Sequence, residues 1–441
     1  MTLPYGRQRD RRLIVVGLCC LTVAVCGSMP AAVLPPLPAA ASTPAAGTPA
    51  AGTPAAGTPA AEGSRDERPR PAPLDLSGLR FAAPLVITEG GTYSGNWESA
   101  NPDVPAISIR TDEPVMIRGS HLRSRGHLIE GVIDGVDLTV IDSTAEGLNP
   151  SREGRVPGRF VILRNPSRVL IERNELNGTS GIRLEGYTGN RGDDTYRILR
   201  NRVTNVDGRM STGTGFSSND SDAELVQFVQ FVQVRAVPGI EVSWNDVCNE
   251  PGRSRVEDVV SVYVSSGTDS SPISLQDNFI KGAYPVDPMS DQYSGGGIML
   301  GDGVADGSGV GNVDGSRNVI VNTTNYGMAV SAGQSMRMSG NRLFSTGLLP
   351  NGAAVAAQNV GLYVWNIHQQ PDFGDVEVFD NVAGWERPNQ GDRNDFWLPD
   401  VSTATANESY NGVVTDKVIG TEYSSWLARA RAAGVTIGPR V

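Results

Sequence analysis

Cysteine, lysine, histidine and aromatic residues are all scarce in this chain, and each shortage removes an option. Of four cysteines in 441 residues, Cys19, Cys20 and Cys26 lie in or beside an N-terminal apolar run, which leaves Cys248 alone in the body. A lone thiol forms no internal disulfide and no cysteine zinc site. Lysine is nearly absent: Lys281 and Lys417 are the only two among 37 basic residues. Acidic residues outnumber basic ones, for a net charge of −11, and the first 41 residues carry +3, so the remainder carries about −14. That balance disfavours nucleic acid as a partner. No Ser-His-Asp arrangement, phosphate-cradling loop or dinucleotide fingerprint is present, and no outward threonine ladder of the ice-binding kind recurs.

What is present begins with an address. Arg7, Arg9, Arg11 and Arg12 precede an apolar stretch from Leu13 to about Val25, the charged and apolar regions of a secretory signal. The stretch is short of the roughly 20 residues a membrane span needs. Residues 1–41 therefore read as an export segment, with an N-terminal membrane anchor as the alternative; cleavage sites follow Gly27 or Ala41. The expected location is extracytoplasmic, secreted or at the cell envelope. Residues 42–73 repeat "TPAAG" with period five and end in "RDERPRPAP". Proline and small residues without apolar periodicity bury no core, so this is an extended linker, either a spacer or a passive tail.

The body, taken as residues 74–400, keeps returning to asparagine. "VLIERNEL", "YRILRNRV", "IEVSWNDV", "ISLQDNFI", "VDGSRNVI", "MRMSGNRL" and "VEVFDNVA" place Asn174, Asn201, Asn245, Asn278, Asn318, Asn341 and Asn381 after alternating apolar residues, and Ser120 fills that slot in "VMIRGSHL". A second recurring strand opens with glycine: "GIRLE", "GIMLG", "GMAVS" and "GLYVW". Period-two alternation marks strands with one buried face. Strands this short, separated by single-residue bends, bury that face by stacking coil on coil. Asparagine suits the bend, since it tolerates left-handed backbone and can bond amide to amide with the next coil. The spacings between successive asparagines range from 23 to 44 residues, so longer intervals hold inserted loops or coils whose asparagine has been replaced.

By these residues, over roughly Ala83 to Ala383, the chain resembles the right-handed parallel β-helix proteins of the pectate-lyase-like superfamily. The implied fold is all-β: one solenoid, with "PLVITEGGTYSGNWES" (Tyr93, Trp97) as an N-terminal cap, and residues 401–441 as a tail whose "YSSWLARARAAG" forms a short helix across the last coil. The repeat identifies the architecture rather than an activity.

If the asparagine corner matches the asparagine ladder of pectate lyases, the glycine-opened strands line the substrate groove. Alternation sends Ile182, Leu184, Ile298, Leu300, Met328, Val330, Leu362 and Val364 inward. It points Arg183, Glu185, Met299, Ala329, Ser331, Tyr363 and Trp365 outward, with Tyr263 and Ser265 from "VSVYVSS". Tyr263, Tyr363 and Trp365 are candidates for sugar contact, because aromatic faces stack on pyranose rings; packing under an inserted loop is the competing role. The resemblance implies a lyase that neutralises a uronate carboxylate and removes the C5 proton, for which Arg183, Glu185 and His368 are the catalytic candidates. An exposed ion pair and a surface histidine are the plainer readings. Asp302 and Asp306 in "GDGVADGSG" are candidate ligands for calcium, the one cofactor considered and not a required one, with a solvated turn as the main alternative. Asp193 and Asp194 form a carboxylate pair of the kind hydrolases use, but "NTD", "GHG" and "RIK" of polygalacturonases are missing. The expected partner is a polysaccharide or cell-surface glycan, bound by a monomer. Function divides between a polysaccharide lyase on uronic-acid glycans, less readily a glycoside hydrolase, and a non-catalytic wall-associated or adhesive β-helix.

Overall fold

Each strand has one dry face, and the chain buries it by winding. The computed structural model describes residues 76 and 78–440, except 187–194, 291 and 304–308; the export segment and nearly all of the linker lie outside the described residues. Its strands fall into three sheets of eleven, and every strand pairs in parallel with the third strand before and after it. The body is a right-handed parallel β-helix in which each coil gives one strand to each sheet. Sheet I holds the glycine-opened strands, such as Ile182–Glu185, Gly296–Asp302 and Val360–Val364. Sheet II holds the strands that lead to the asparagines, such as Arg168–Glu172. Sheet III holds those that follow them, such as Phe279–Ala283. The eight apolar side chains expected inside from sheet I are fully buried.

The asparagines form one continuous column. From Asn174 to Asn381 each side-chain Nδ2 donates to the Oδ1 of the next rung at 2.9–3.1 Å. The same oxygen accepts the backbone N–H of the rung before it. Rungs 44 residues apart bond as directly as rungs 23 apart, so the long spacings are inserted loops, not lost coils. Replacement occurs only toward the N-terminus, where Ser143 and Ser120 continue the column. Asn407 extends it at the other end. The left-handed backbone is not at the asparagine but one residue earlier, at Arg173, Arg200, Trp244, Asp277, Arg317 and Asp380. That residue makes the bend, and the asparagine, just past it, is freed to point inward.

Three expectations shift. The Tyr93–Trp97 segment is no separate cap; Leu85–Ile87, Gly91–Tyr93 and Asn96–Ser99 are the first coil, paired in register with the second. Strands continue past residue 400 to Glu408–Ser409. The C-terminal helix α1 (Asp416–Ala432) does not cross the last coil but runs back along sheet III. Trp426 Nε1 donates to the Asp277 carbonyl at 2.7 Å, Arg429 pairs with Asp277 at 3.0 Å, and Glu422 pairs with Arg342 at 2.5 Å. The reason is apolar: Phe279, Val319, Val321 and Phe344 point outward from sheet III and are buried only because Trp426, Ile419 and Tyr423 cover them. Among the described residues no helix is long and apolar enough to cross a membrane.

Candidate functional site

The register of sheet I converts the sequence into outward columns. Ile129, Val161, Ile182, Val229, Val260, Ile298, Met328 and Leu362 pair in succession and face inward. One residue on lies the middle column: Glu130, Ile162, Arg183, Gln230, Ser261, Met299, Ala329, Tyr363 and Trp397. Two residues further are Arg164, Glu185, Val232, Tyr263 and Asp302, with Trp365 just past its strand.

A third column was not legible from alternation. Gly327 and Gly361 also point into the coil, where a Cβ would meet the next coil's carbonyl oxygen at 2.5 and 2.7 Å. Two successive inward positions shift the phase, so the residue before the glycine faces out. Counting back along the register, this edge column is His127, Arg159, Ser180, Gln227, Asp258, Gly296, Tyr326 and Val360. Gly296 is open for a reason: a Cβ there would lie 2.3 Å from Tyr326 Cζ. Without it the tyrosine ring passes over the glycine, and its hydroxyl donates to Asp258 Oδ1.

Arginines and carboxylates meet at one end of the face. Arg183 and Arg164 both pair with Glu185, Arg164 at 3.3 Å. Arg159 is only 7% exposed, and its Nη1 donates to the Ser180 carbonyl at 2.7 Å. Burial, then the neighbouring Arg183, pulls its pKa down to about 10. Its backbone N–H donates to His127 Nδ1 at 3.0 Å, which leaves the ring proton on Nε2. Burial, reinforced by Arg159 and Arg155, holds the His127 pKa down at about 4, so the imidazole is neutral. Beside these groups opens a polar cleft of about 390 Å³, lined among others by Asp103, His127, Glu130, Arg155 and Glu224.

Aromatic and carboxyl groups fill the other end. Tyr363 packs edge-on against Tyr326 at 5.2 Å, and its hydroxyl lies 3.0 Å from Ser331 Oγ. Trp365 and Trp397 meet at 5.4 Å and remain partly exposed. Burial, then Glu257, pushes the Asp258 pKa well up. Burial raises Asp302 to about 6, against the opposing Gly303 N–H that donates to Oδ1 at 2.8 Å.

The predicted residues thus share one face without sharing one cleft. The Arg183–Glu185 pair stands three strands from Asp302 and five from Tyr363, about 14 and 24 Å at the usual strand spacing of about 4.8 Å. Tyr263 and Trp365 are partly exposed, whereas Tyr363 is 8% exposed and closed over by its aromatic neighbours. Ser265, expected outside, is fully buried: past the left-handed Val264 its hydroxyl turns in and accepts the Val234 N–H at 3.0 Å. His368 sits in the loop after the strand, partly exposed, outside the three columns and with no hydrogen bond or ion pair. Asp306, Asp193 and Asp194 lie outside the described residues. Among the described residues no three His, Cys, Asp or Glu side chains come together to hold a metal. Arg159, Gln227, Asp258, Tyr326 and Trp397 were missed; the residue two places ahead of the first apolar strand position was the available signal for the first four.

No family model matches this chain, and neither does any curated protein. One solved structure, described as a new PL6 alginate lyase complex with trisaccharide, aligns over 77% of this chain and 82% of that one, with 16% identity and a TM-score of 0.24.

Proposed function

We propose that this protein is an exported β-helix that binds polysaccharide lengthwise on the outer face of sheet I, crossing successive coils. One observation carries the reading: the same continuous face presents arginines and a polar cleft at one end and the half-exposed Trp365–Trp397 pair at the other. Guanidinium groups and carboxylates satisfy sugar hydroxyls and acid groups, while indole faces cover the apolar faces of pyranose rings. From Arg183 to Trp397 is six strand steps, about 29 Å.

The test is retention on a panel of polysaccharides in affinity electrophoresis, using the full chain and the Trp365→Ala and Trp397→Ala variants. Weakened retention in both, with unchanged melting, supports the face as the binding surface. Retention unaffected by either places the glycan elsewhere.

A second reading, β-elimination on a uronic-acid glycan, is favoured by Arg159 rather than Arg183. Arg183 is held by Glu185, whereas Arg159 has no carboxylate within ion-pair distance and stays cationic, its pKa lowered only to about 10, as neutralising the uronate carboxylate before elimination requires. Incubation with uronic-acid polysaccharides, with and without added calcium, tests it through the ultraviolet absorbance of unsaturated product. Binding without product leaves the protein a glycan-binding surface or wall component.

A further inference from the structure

We propose that Arg159, Arg183, Gln227 and Gln230 form a subsite for one anionic sugar residue, the two guanidinium groups taking its acid group and the two glutamine oxygens accepting its hydroxyls. This rests on the glycan-binding reading and assigns the ligand class and its place on the face.

Arg159 has no carboxylate within ion-pair distance, and its side chain spends one donor on the Ser180 carbonyl. Glu224 and Glu185 act on this buried guanidinium only from beyond ion-pair distance, so an anion in direct contact would complete it. Ser180, the next residue of the edge column, is short enough for the arginine to lean across toward Arg183, which is close enough to depress its pKa. Arg183 in turn pairs in register with Gln230. Gln227, in the edge column on the same coil as Gln230, is 3% exposed, and its Oε1 has no hydrogen-bond donor; neither has Oε1 of Gln230. Two buried acceptors lacking donors, beside an arginine with no directly paired carboxylate, describe the complement of a ligand that carries hydroxyl groups and a negative charge. A carboxylate or a sulfate ester meets that description; a neutral hexose does not.

Calorimetry on the full chain decides it, with four hexasaccharide probes: oligogalacturonate, its carboxyl-reduced neutral form, a sulfated carrageenan oligosaccharide and maltohexaose. The wild type is expected to bind one or both acidic probes and to bind the neutral ones at least about ten-fold more weakly. The stronger acidic probe identifies the acid group. Arg159→Gln is expected to weaken that probe about ten- to a hundred-fold. Because Arg159 is buried, Gln230→Leu serves beside it, at a half-exposed position, with an expected loss of about five-fold and an unchanged melting curve. Neutral probes binding as well as acidic ones, or folded Arg159→Gln and Gln230→Leu proteins binding the acidic probe like wild type, overturn the subsite. In that event Trp397→Ala separates the causes: if it weakens binding of the hexasaccharide, the face stands and the subsite falls, and if it too changes nothing, both fall.

Discussion

Asn278 is held from four sides. Its Oδ1 accepts the Asn245 backbone N–H at 3.1 Å and the Asn245 Nδ2 at 2.9 Å, while its own Nδ2 donates to the Val242 carbonyl and to Asn318 Oδ1 at 2.9 and 3.0 Å. Alanine there leaves buried donors and acceptors on both neighbouring rungs unmet, so Asn278→Ala is expected to lose about 3 kcal/mol in urea denaturation. Asn407→Ala, at the open end of the column, should lose less than about 1 kcal/mol, since water reaches the groups it frees. Equal losses would mean that burial of the column does not set its worth. Asp302 offers a second test at this scale. Its pKa is raised in the folded chain to about 6, so its contribution to stability is intact below the unfolded value and is lost as pH rises through about 6. Asp302→Asn should match wild type near pH 4 and exceed it by on the order of 2 kcal/mol near pH 7.5. His127, lowered to about 4, acts with the opposite sign: its contribution is intact above its unfolded value and is lost as pH falls through about 4. The difference between wild type and variant across pH is therefore the quantity to measure. A difference that does not change with pH would show that Asp302 keeps an ordinary pKa in the fold.

At the scale of elements, α1 does the work that the sequence assigned to a cap, but on a different surface. Phe279, Val319, Val321 and Phe344 lie under it on sheet III, whereas the proposed glycan face is on sheet I. Ending the chain at Thr415 should therefore lower the melting temperature and cause concentration-dependent aggregation as that apolar surface opens, while glycan retention per folded molecule is unchanged. Trp426→Ala, which empties a fully buried indole site, should cost about 3–5 kcal/mol by the same route. Retention lost together with the helix would place α1 in the binding site. The strands themselves were legible because alternation and the asparagine slot each report a constraint local to a few residues. The place of the helix was not, since the residues that attract it come from separate coils and each looks like ordinary strand filling. The first coil was misread as a cap for a related reason: no asparagine marks it, and pairing with the second coil is what makes it a coil.

Across the whole molecule, alternation gave the outward direction of Arg183, Glu185, Tyr263 and Trp365 but not what covers an outward residue. Tyr363 shows the gap, closed over by Tyr326 from the neighbouring coil and Trp397 from the coil beyond. The edge column escaped notice because the inward glycines shift the phase only when stacked, where the next coil's carbonyl leaves no room for a Cβ. Once the columns are in place, distance becomes the test of the whole face. A ligand that touched only the arginine end would gain nothing from length, whereas one lying across the coils gains contact with each added sugar until it reaches Trp397. A pyranose unit is about as long as one strand spacing, so the roughly 29 Å from Arg183 to Trp397 corresponds to about six or seven sugars. Affinity for a homologous series of oligosaccharides should rise from the disaccharide, through the tetrasaccharide, to the hexa- or heptasaccharide and then level off. In Trp397→Ala the plateau should arrive at shorter chains, because the far contact is gone, while the disaccharide is bound as before. A series flat from the disaccharide onward would confine binding to the cleft beside His127 and remove the tryptophan pair from the ligand's path.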